Sequence, residues 1–252
     1  MRTLRRLALA ASLVAASLPF TASAADGGLR PFLDLEAGVG WARSNDVQVP
    51  GDTGTRFSLA DGAFASDAAP IVRVQAGARW GRHALSATFA PVRLQGNGTG
   101  GGAVLFRGQT FTAGEDASAR YRFDTYRLTY RFALVDAPRL ELALGGTVLV
   151  RDAEIRLSAS GRSTAEKNVG LVPLASLRIA GRIAGPVWLA LDGDALAAPQ
   201  GRAEDVSLAL ELRSGELAFR AGYRLLEGGA DNDEVYNFAW IHQITAGVRY
   251  EL

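Results

Sequence analysis

The sequence predicts an all-β protein: a closed antiparallel transmembrane β-barrel, up-and-down in topology, with about ten strands. Three observations predict it. Apolar residues recur at every second position through most of the chain. The connections between these stretches alternate between short and long. Beyond the N-terminal segment, no run of about 18 apolar residues offers a membrane-crossing helix.

Residues 1–24 read as a signal peptide. Arg2, Arg5 and Arg6 are its positive start, 7–20 its apolar stretch, and Ala22-Ser23-Ala24 its A-x-A cleavage site. The apolar stretch is shorter than the roughly 20 residues of a spanning helix, which argues against an anchor. Residues 25–252 then form a single barrel domain. The chain has no cysteine, so an exported fold must hold without disulfides. A net charge of +1 gives no reason to expect nucleic acid as a partner.

Ten segments carry the alternation. At 30–43, Leu33, Leu35, Val39 and Trp41 oppose Asp34 and Glu36. At 70–80, Val72, Val74 and Ala78 oppose Arg73, Gln75 and Arg79. At 83–95, Leu85, Ala87 and Phe89 alternate and then shift at Pro91, which predicts a bulge or a strand end there. At 118–133, Tyr126, Leu128, Tyr130 and Phe132 oppose Arg127, Thr129 and Arg131. At 139–157, Leu140, Leu142, Leu144, Val148 and Val150 oppose Glu141, Thr147 and Arg151. At 168–182, Val169, Leu171, Ala175, Leu177 and Ile179 carry Pro173 among them.

At 186–196, Val187, Leu189 and Leu191 oppose Asp192 and Asp194; at 203–213, Val206, Leu208, Leu210 and Leu212 oppose Asp205, Ser207, Glu211 and Arg213. At 216–227, Leu217, Phe219, Ala221, Tyr223 and Leu225 oppose Glu216, Arg220 and Arg224. The last segment, 234–251, has Tyr236, Phe238, Trp240, His242, Ile244, Ala246, Val248 and Tyr250 on one face. Its other face is mostly polar, with Ile241 as the exception. Successive strand side chains point to opposite faces, so each segment has one apolar and one polar wall.

Short connections fall at Gly81-Arg82, Asp136-Ala137-Pro138, Ala184-Gly185 and Ser214-Gly215; longer ones fall near 44–69, 96–117, 158–167, 197–202 and 228–233. Short turns on one side and longer loops on the other match barrels that cross the outer membrane. Trp41, Trp80, Tyr130, Phe132, Tyr223, Trp240 and Tyr250 sit near strand ends on the apolar face, as girdle residues do. Alternation alone also fits a soluble sandwich or a lipocalin-like barrel, whose apolar face turns inward. Strand length, loop alternation and the chain end favour the membrane form. Residues 245–252, TAGVRYEL, resemble the C-terminal assembly signal of outer-membrane barrels, with Leu252 in place of the usual Phe. That signal makes the barrel assembly machinery an expected partner, beside outer-membrane lipid and lipopolysaccharide, and a monomer is expected.

The stretches PGDTGTRFSL (50–59), YRLTYRF (126–132), RDAEI (151–155) and APQGR (198–202) go further. With the opening stretch, they resemble a family of Gram-negative outer-membrane β-barrel proteins of uncharacterised function. The resemblance implies fold and outer-membrane location and carries no activity.

Candidate chemistry is sparse, and no catalytic set or cofactor site is expected. Asp231, Asp233 and Glu234 are the candidates for calcium, but an EF-hand-type loop needs further ligands at fixed spacing that are missing here, and a solvated hairpin is the preferred reading of the run. The histidines are His83 and His242; neither is placed to meet the loop acids, so acid–base work by a His–Asp pair lacks its geometry. Asp52-Thr53-Gly54 copies half of an aspartic-protease pair and reads as a turn. The Gly-rich 96–102 lacks the Lys of a phosphate loop and reads as a flexible loop.

The inward charges are the informative set. Asp34, Glu36, Glu141, Asp192, Asp194, Glu211 and Glu251 face Arg73, Arg79, Arg127, Arg131, Arg151, Arg178, Arg213, Arg220, Arg224 and Arg249. Mixed signs predict a salt-bridged plug, since arginine pairs bidentately with carboxylates. The arginine excess leaves open a narrow anion-biased channel, but a barrel of about ten strands is close to the size that side chains fill. The expected function is a non-enzymatic envelope protein with a structural or loop-mediated binding role. A small-solute channel, or less readily a barrel hydrolase acting on lipid or peptide, is the alternative.

Overall fold

The computed structural model describes residues 28–198 and 201–252, so the predicted signal segment lies outside the described residues. In chain order the strands are β1 (Arg30–Gln48), β2 (Phe57–Ser58), β3 (Ala69–Trp80), β4 (His83–Thr99), β5 (Val104–Phe106), β6 (Gln109–Phe111), β7 (Asp116–Ala137), β8 (Leu140–Ala159), β9 (Arg162–Ala184), β10 (Val187–Ala198), β11 (Gly201–Ser214), β12 (Leu217–Asp231) and β13 (Tyr236–Glu251). Ten of them pair antiparallel, each with its neighbour, and β13 closes on β1 from Phe32↔Glu251 to Gln48↔Tyr236. This is the expected ten-stranded, up-and-down closed barrel. Strand β2 adds to β1, and β5–β6 is a separate hairpin.

One end carries two-residue turns. Gly81, Gly185 and Gly215 open three of them with left-handed backbone (φ 54°, 50° and 59°), which glycine adopts without a Cβ clash. Near this end the wall has the predicted polarity. Trp80, Tyr130, Phe219 and Tyr250 face outward and are exposed, while Arg131, Arg178 and Arg249 turn in. On β13, Tyr250 and Trp240 stand 250 − 240 = 10 residues apart. At ~3.3 Å per residue and ~40° tilt that spans ~25 Å, the height of a barrel's apolar band.

The other end departs from expectation. The connections predicted at 158–167 and 228–233 are mostly strand: β8 and β9 run to a tight turn at Ser160-Gly161, and β12 continues to Asp231. Gly96 to Thr99 likewise belong to β4. Strands of 20–23 residues, β7 to β9, are about twice what a bilayer needs. Nor does Pro91 mark a bulge, because the β4–β7 register runs unbroken from His83↔Phe132 to Thr99↔Asp116.

What changes is polarity. On β7 the outward residues go from Tyr130, Leu128 and Tyr126 to Asp124, Arg122 and Arg120. The inward ones go from Arg131, Thr129 and Arg127 to Phe123, Tyr121 and Ala119. Strands β4 and β8 invert in the same way: Val92, Leu94, Ile155 and Leu157 are buried inside. Ile241, the exception on β13, is 1% exposed in this same apolar interior. The turn-side half has the polarity of a membrane barrel, apolar outside and charged within, and the loop-side half has the polarity of a barrel with a water-facing wall.

Two connections fill the loop-side interior. The segment after β1 brings in Val49, Leu59 and Phe64, and the β5–β6 hairpin brings in Val104, Phe106 and Phe111. Phe57 meets Phe64 and Phe106 edge-on. Backbone bonds tie these pieces together: Leu59 N to Asn45 O (2.7 Å), Thr55 N to Leu105 O (2.9 Å) and Arg107 N to Val49 O (3.0 Å). Gly98 lets the first segment press against β4, for a Cβ there would meet the Ala63 carbonyl oxygen at 1.8 Å.

Candidate functional site

The bore of the turn-side half is crossed by charge. Arg127 of β7 reaches Asp194 on β10 (3.1 Å) and Asp205 on β11 (2.7 Å). Arg73 of β3 reaches the same Asp205 at 3.1 Å, as does Arg224 of β12 at 2.6 Å. Strands β3 and β7 do not neighbour β11, so these bonds span the lumen. Nearer the turns, Arg178 holds Asp192 (2.6 Å) and both oxygens of Glu211 (3.0 Å). Arg131 shares Asp192 (2.8 Å), while Arg220 and Arg249 share Asp34 (3.3 and 2.8 Å). Asp194 Oδ1 also accepts from the Ser176 hydroxyl at 2.6 Å and from the Thr147 hydroxyl at 3.1 Å, adding neutral donors to the lumen.

Two members differ from the predicted set. Asp205, on the polar face of its strand but outside that set, is the hub of three arginines. Arg151 points inward as predicted but joins no ion pair among the described residues, donating to Asn168 Oδ1 (3.0 Å). With Asp205 added, ten inward arginines face eight acids and nine of the ten are paired, so the predicted anion bias narrows to the unpaired Arg151. The spacing of Asp205 by six from Glu211 on one strand was the available signal.

Above the network, beside the apolar lid, lies a cavity of about 310 Å³. Tyr121, Phe123, Leu149, Ile155, Leu174, Leu226 and Ile241 line it, with Arg127 and Asp205 below; Glu204 also borders it, as do Glu154, Glu166 and Glu227, which are held by Arg156, Arg107 and Arg202. Arg151 projects into it, its Nε buried and without a hydrogen-bond partner. Gly170 stands opposite Arg151 in the β8–β9 register, and a Cβ there would sit 2.9 Å from that Nε.

The cavity opens sideways. Pairing of β9 with β10 stops at Ala175↔Ala195, while β9 continues for 13 residues, 162–174, with β8 as its one ladder partner among the described residues. Pro173, with no N–H to donate, stands two residues past the last pair. Pro91 holds the same place on β4, two past the end of its ladder with β3 at Val74↔Phe89. That first gap is covered by the chain before β3, through the Ser66↔Gly96 bridge and Asp67 N to Gln95 O (3.1 Å). The second gap has no such cover among the described residues. Val169 and Leu171 on its edge are 71% and 69% exposed, more than any other large apolar side chain described. Leu196, on the inward side of β10, is still 39% exposed.

The other predicted residues do not converge. His242 stacks on Trp41 (centroids 5.7 Å) and bonds the Tyr223 hydroxyl on the outer wall. His83 stacks on Trp80 and bonds Tyr130 at 2.8 Å beside a short turn. Both lie at girdle level, and among the described residues neither meets an acidic partner. Asp231, Asp233 and Glu234 are exposed around the β12–β13 turn. Asn232 Oδ1 sets that turn by accepting from Glu234 N and Val235 N (3.0 Å each), and Asp233 O receives Gly51 N (2.9 Å). Among the described residues no three acidic or histidine side chains gather as a metal would need. Asp52-Thr53-Gly54 is a turn, with Gly54 N bonded to Pro50 O (2.9 Å).

Neither a family model nor a curated relative matches the chain. Among solved structures, it is similar to the outer membrane protease OmpT from Escherichia coli: 11% identity, 94% of this chain and 99% of that one covered, TM-score 0.52. The attachment invasion locus protein Ail of Yersinia pestis, in complex with the heparin analogue sucrose octasulfate, matches at 10% identity, 87% and 99% coverage and TM-score 0.39. Neisserial surface protein A matches at 12%, 87% and 97%, with TM-score 0.35. At such identities only the fold is shared, and its likeness to OmpT agrees with the strand count and the closed ladder: the chain has the fold of the outer-membrane β-barrels.

Proposed function

We propose that this chain is an occluded outer-membrane barrel, non-enzymatic, whose loop-side half faces the exterior and binds a ligand. One observation carries the reading: Arg73 and Arg127 bridge to Asp205 across the lumen, so charge fills the bore instead of lining a path. A buried guanidinium and carboxylate that lose each other leave an uncompensated charge, which makes opening such a network costly. The apolar lid closes the loop end a second time. The outer face would meet lipid and, toward the exterior, lipopolysaccharide, and β13 would present the C-terminal signal to the assembly machinery.

Two measurements test it. The protein reconstituted in planar bilayers should give no conductance steps above the lipid alone in concentrated KCl; steady channel-sized steps would overturn occlusion. Fractionated cells should hold it in the outer membrane, with a heat-modifiable gel shift. Recovery as a detergent-free periplasmic protein would overturn the location.

A further inference from the structure

The geometry points to a ligand class: we infer that the side-opening cavity takes a single-chain amphiphile with an anionic head, such as a medium-chain carboxylate, from the surrounding lipid. This rests on the proposed reading of a binding, occluded barrel and deepens it.

Three features converge. The cavity is walled mainly by aromatic and aliphatic side chains, and its volume lies at the lower end of the ~300–1,000 Å³ of small-molecule sites. That space suits one chain and excludes a multi-chain lipid. Second, Arg151 is the one inward arginine of the predicted interior set without an ion pair among the described residues. An unpaired guanidinium against an apolar wall is the complement of an anionic head on an apolar tail, since a carboxylate satisfies two of its N–H groups at once. The Gly170 position leaves that guanidinium room to lie along β9. Third, the mouth is lateral. Among the described residues the β9 edge above Ala175 has no strand partner on its β10 side, and its outward side chains Val169 and Leu171 are apolar and bare. This apolar strip on the β9 side, beside the top of the lipid band, favours entry from the membrane, although Glu166, Asn168, Arg202 and Glu204 also line the opening, with Glu166 held by Arg107.

The sequel is physical binding, with no bond made or broken. The tail lies against Leu149, Leu174 and Ile241, where burial of its methylenes drives binding. The head pairs with Arg151, and Arg127 stays engaged with Asp194 and Asp205.

The test uses the full barrel in lipid nanodiscs and three probes of one chain length: dodecanoate, dodecanol and dodecylammonium. A photoreactive diazirine analogue of dodecanoate maps the site by mass spectrometry. Expected is preferential binding of dodecanoate, with cross-links on 149–155, 171–174 or 226. Arg151→Leu should weaken it about tenfold or more, with Arg151→Lys recovering part of the loss. Leu196→Trp, which fills the mouth, should abolish labelling while the heat-modifiable shift stays unchanged. Equal binding of all three probes, or dodecanoate binding indifferent to Arg151→Leu, overturns the anionic class. Absence of binding by every probe overturns the inference, and the conductance result stands apart from either outcome. Labelling undiminished in Leu196→Trp overturns the lateral mouth.

Discussion

The two halves of this barrel are built from the same strands with opposite rules. Toward the short turns, Leu128 and Tyr130 look out and Arg127 and Arg131 look in; a few residues along the same strand, Arg120 and Arg122 look out and Tyr121 and Phe123 look in. Strand geometry fixes only that neighbours face opposite ways. Which face is apolar follows from what lies outside: hydrocarbon cannot solvate charge, whereas water penalises bare apolar surface. The interior then takes whatever the exterior refuses, a salt-bridge network below and a loop-filled apolar core above. The lesson is that a strand's period marks its structure, and the phase of its polarity marks its solvent.

The comparison breaks most sharply at Asp205. Replacing it by Ala leaves Arg73, Arg127 and Arg224 short of a shared counter-charge. A loss of ~3–5 kcal/mol is expected, read as an earlier unfolding midpoint in urea with the protein in lipid vesicles. A shift below ~1 kcal/mol would mean the network contributes little beyond filling space.

Mirror substitutions sharpen the contrast between the walls. Leu128→Arg puts a charge in the lipid band and should cost ~2–4 kcal/mol. The reverse change on the same outer face, Arg120→Leu, should stay within ~0.5 kcal/mol, because that stretch meets water. Equal costs in the two would contradict the inversion on β7.

Phe106→Ala probes the core of the loop-side half alone. This side chain is 0% exposed within the lid. Its removal should release 100–115 to proteolysis, with the barrel's unfolding midpoint moved by less than ~1 kcal/mol, since the lid opens locally. A matching collapse of the whole barrel would show the two halves to be one cooperative unit.

The smallest effect concerns pH. Hydrogen bonds from Ser160, and then from Arg162 (Nη2 to Oε1, 2.5 Å), hold Glu115 well down, at about 2 against an ordinary 4.5. A depressed carboxyl contributes stability above its unfolded value, and that contribution fades as pH falls from about 4.5 through about 2. Hydrogen exchange of the 109–116 amides should therefore stay flat, after correction for intrinsic rates, down to weak acid and rise below it. Glu115→Gln should remove the pH dependence.

Much of the barrel was legible because lipid imposes period two with one apolar face. Strand number, closure by β13 on β1, and most inward charges could be read that way. The upper halves of the strands were not, because the same criterion loses its signal where water replaces lipid. Val92 and Leu94 looked like a register slip at Pro91, and Ile241 like an exception, yet each is a change of phase. The cavity was harder still. Arg151 reads like any inward arginine until pairing shows it without a carboxylate, and the gap at Pro173 depends on where the β10–β11 hairpin ends. Those are facts of tertiary pairing, which no single strand encodes.

The tall hairpin of β7, β8 and β9 has a consequence for how such a barrel reaches its membrane. A chain inserted with its short turns trailing must carry the strand tips through the hydrocarbon slab first. The leading surface on this hairpin bears Arg122, Asp124, Asp152, Glu154, Arg156 and Lys167. Crossing as lone ions would be prohibitive, but the Arg122–Asp152 bond (2.7 Å) and the Arg156–Glu154 bond (2.8 Å) join strands or residues adjacent in the ladder. These pairs can form as soon as the hairpin does, so the tip could travel as a nearly neutral piece. Translocation, as much as final stability, would then select for acids and bases set side by side on that outer face.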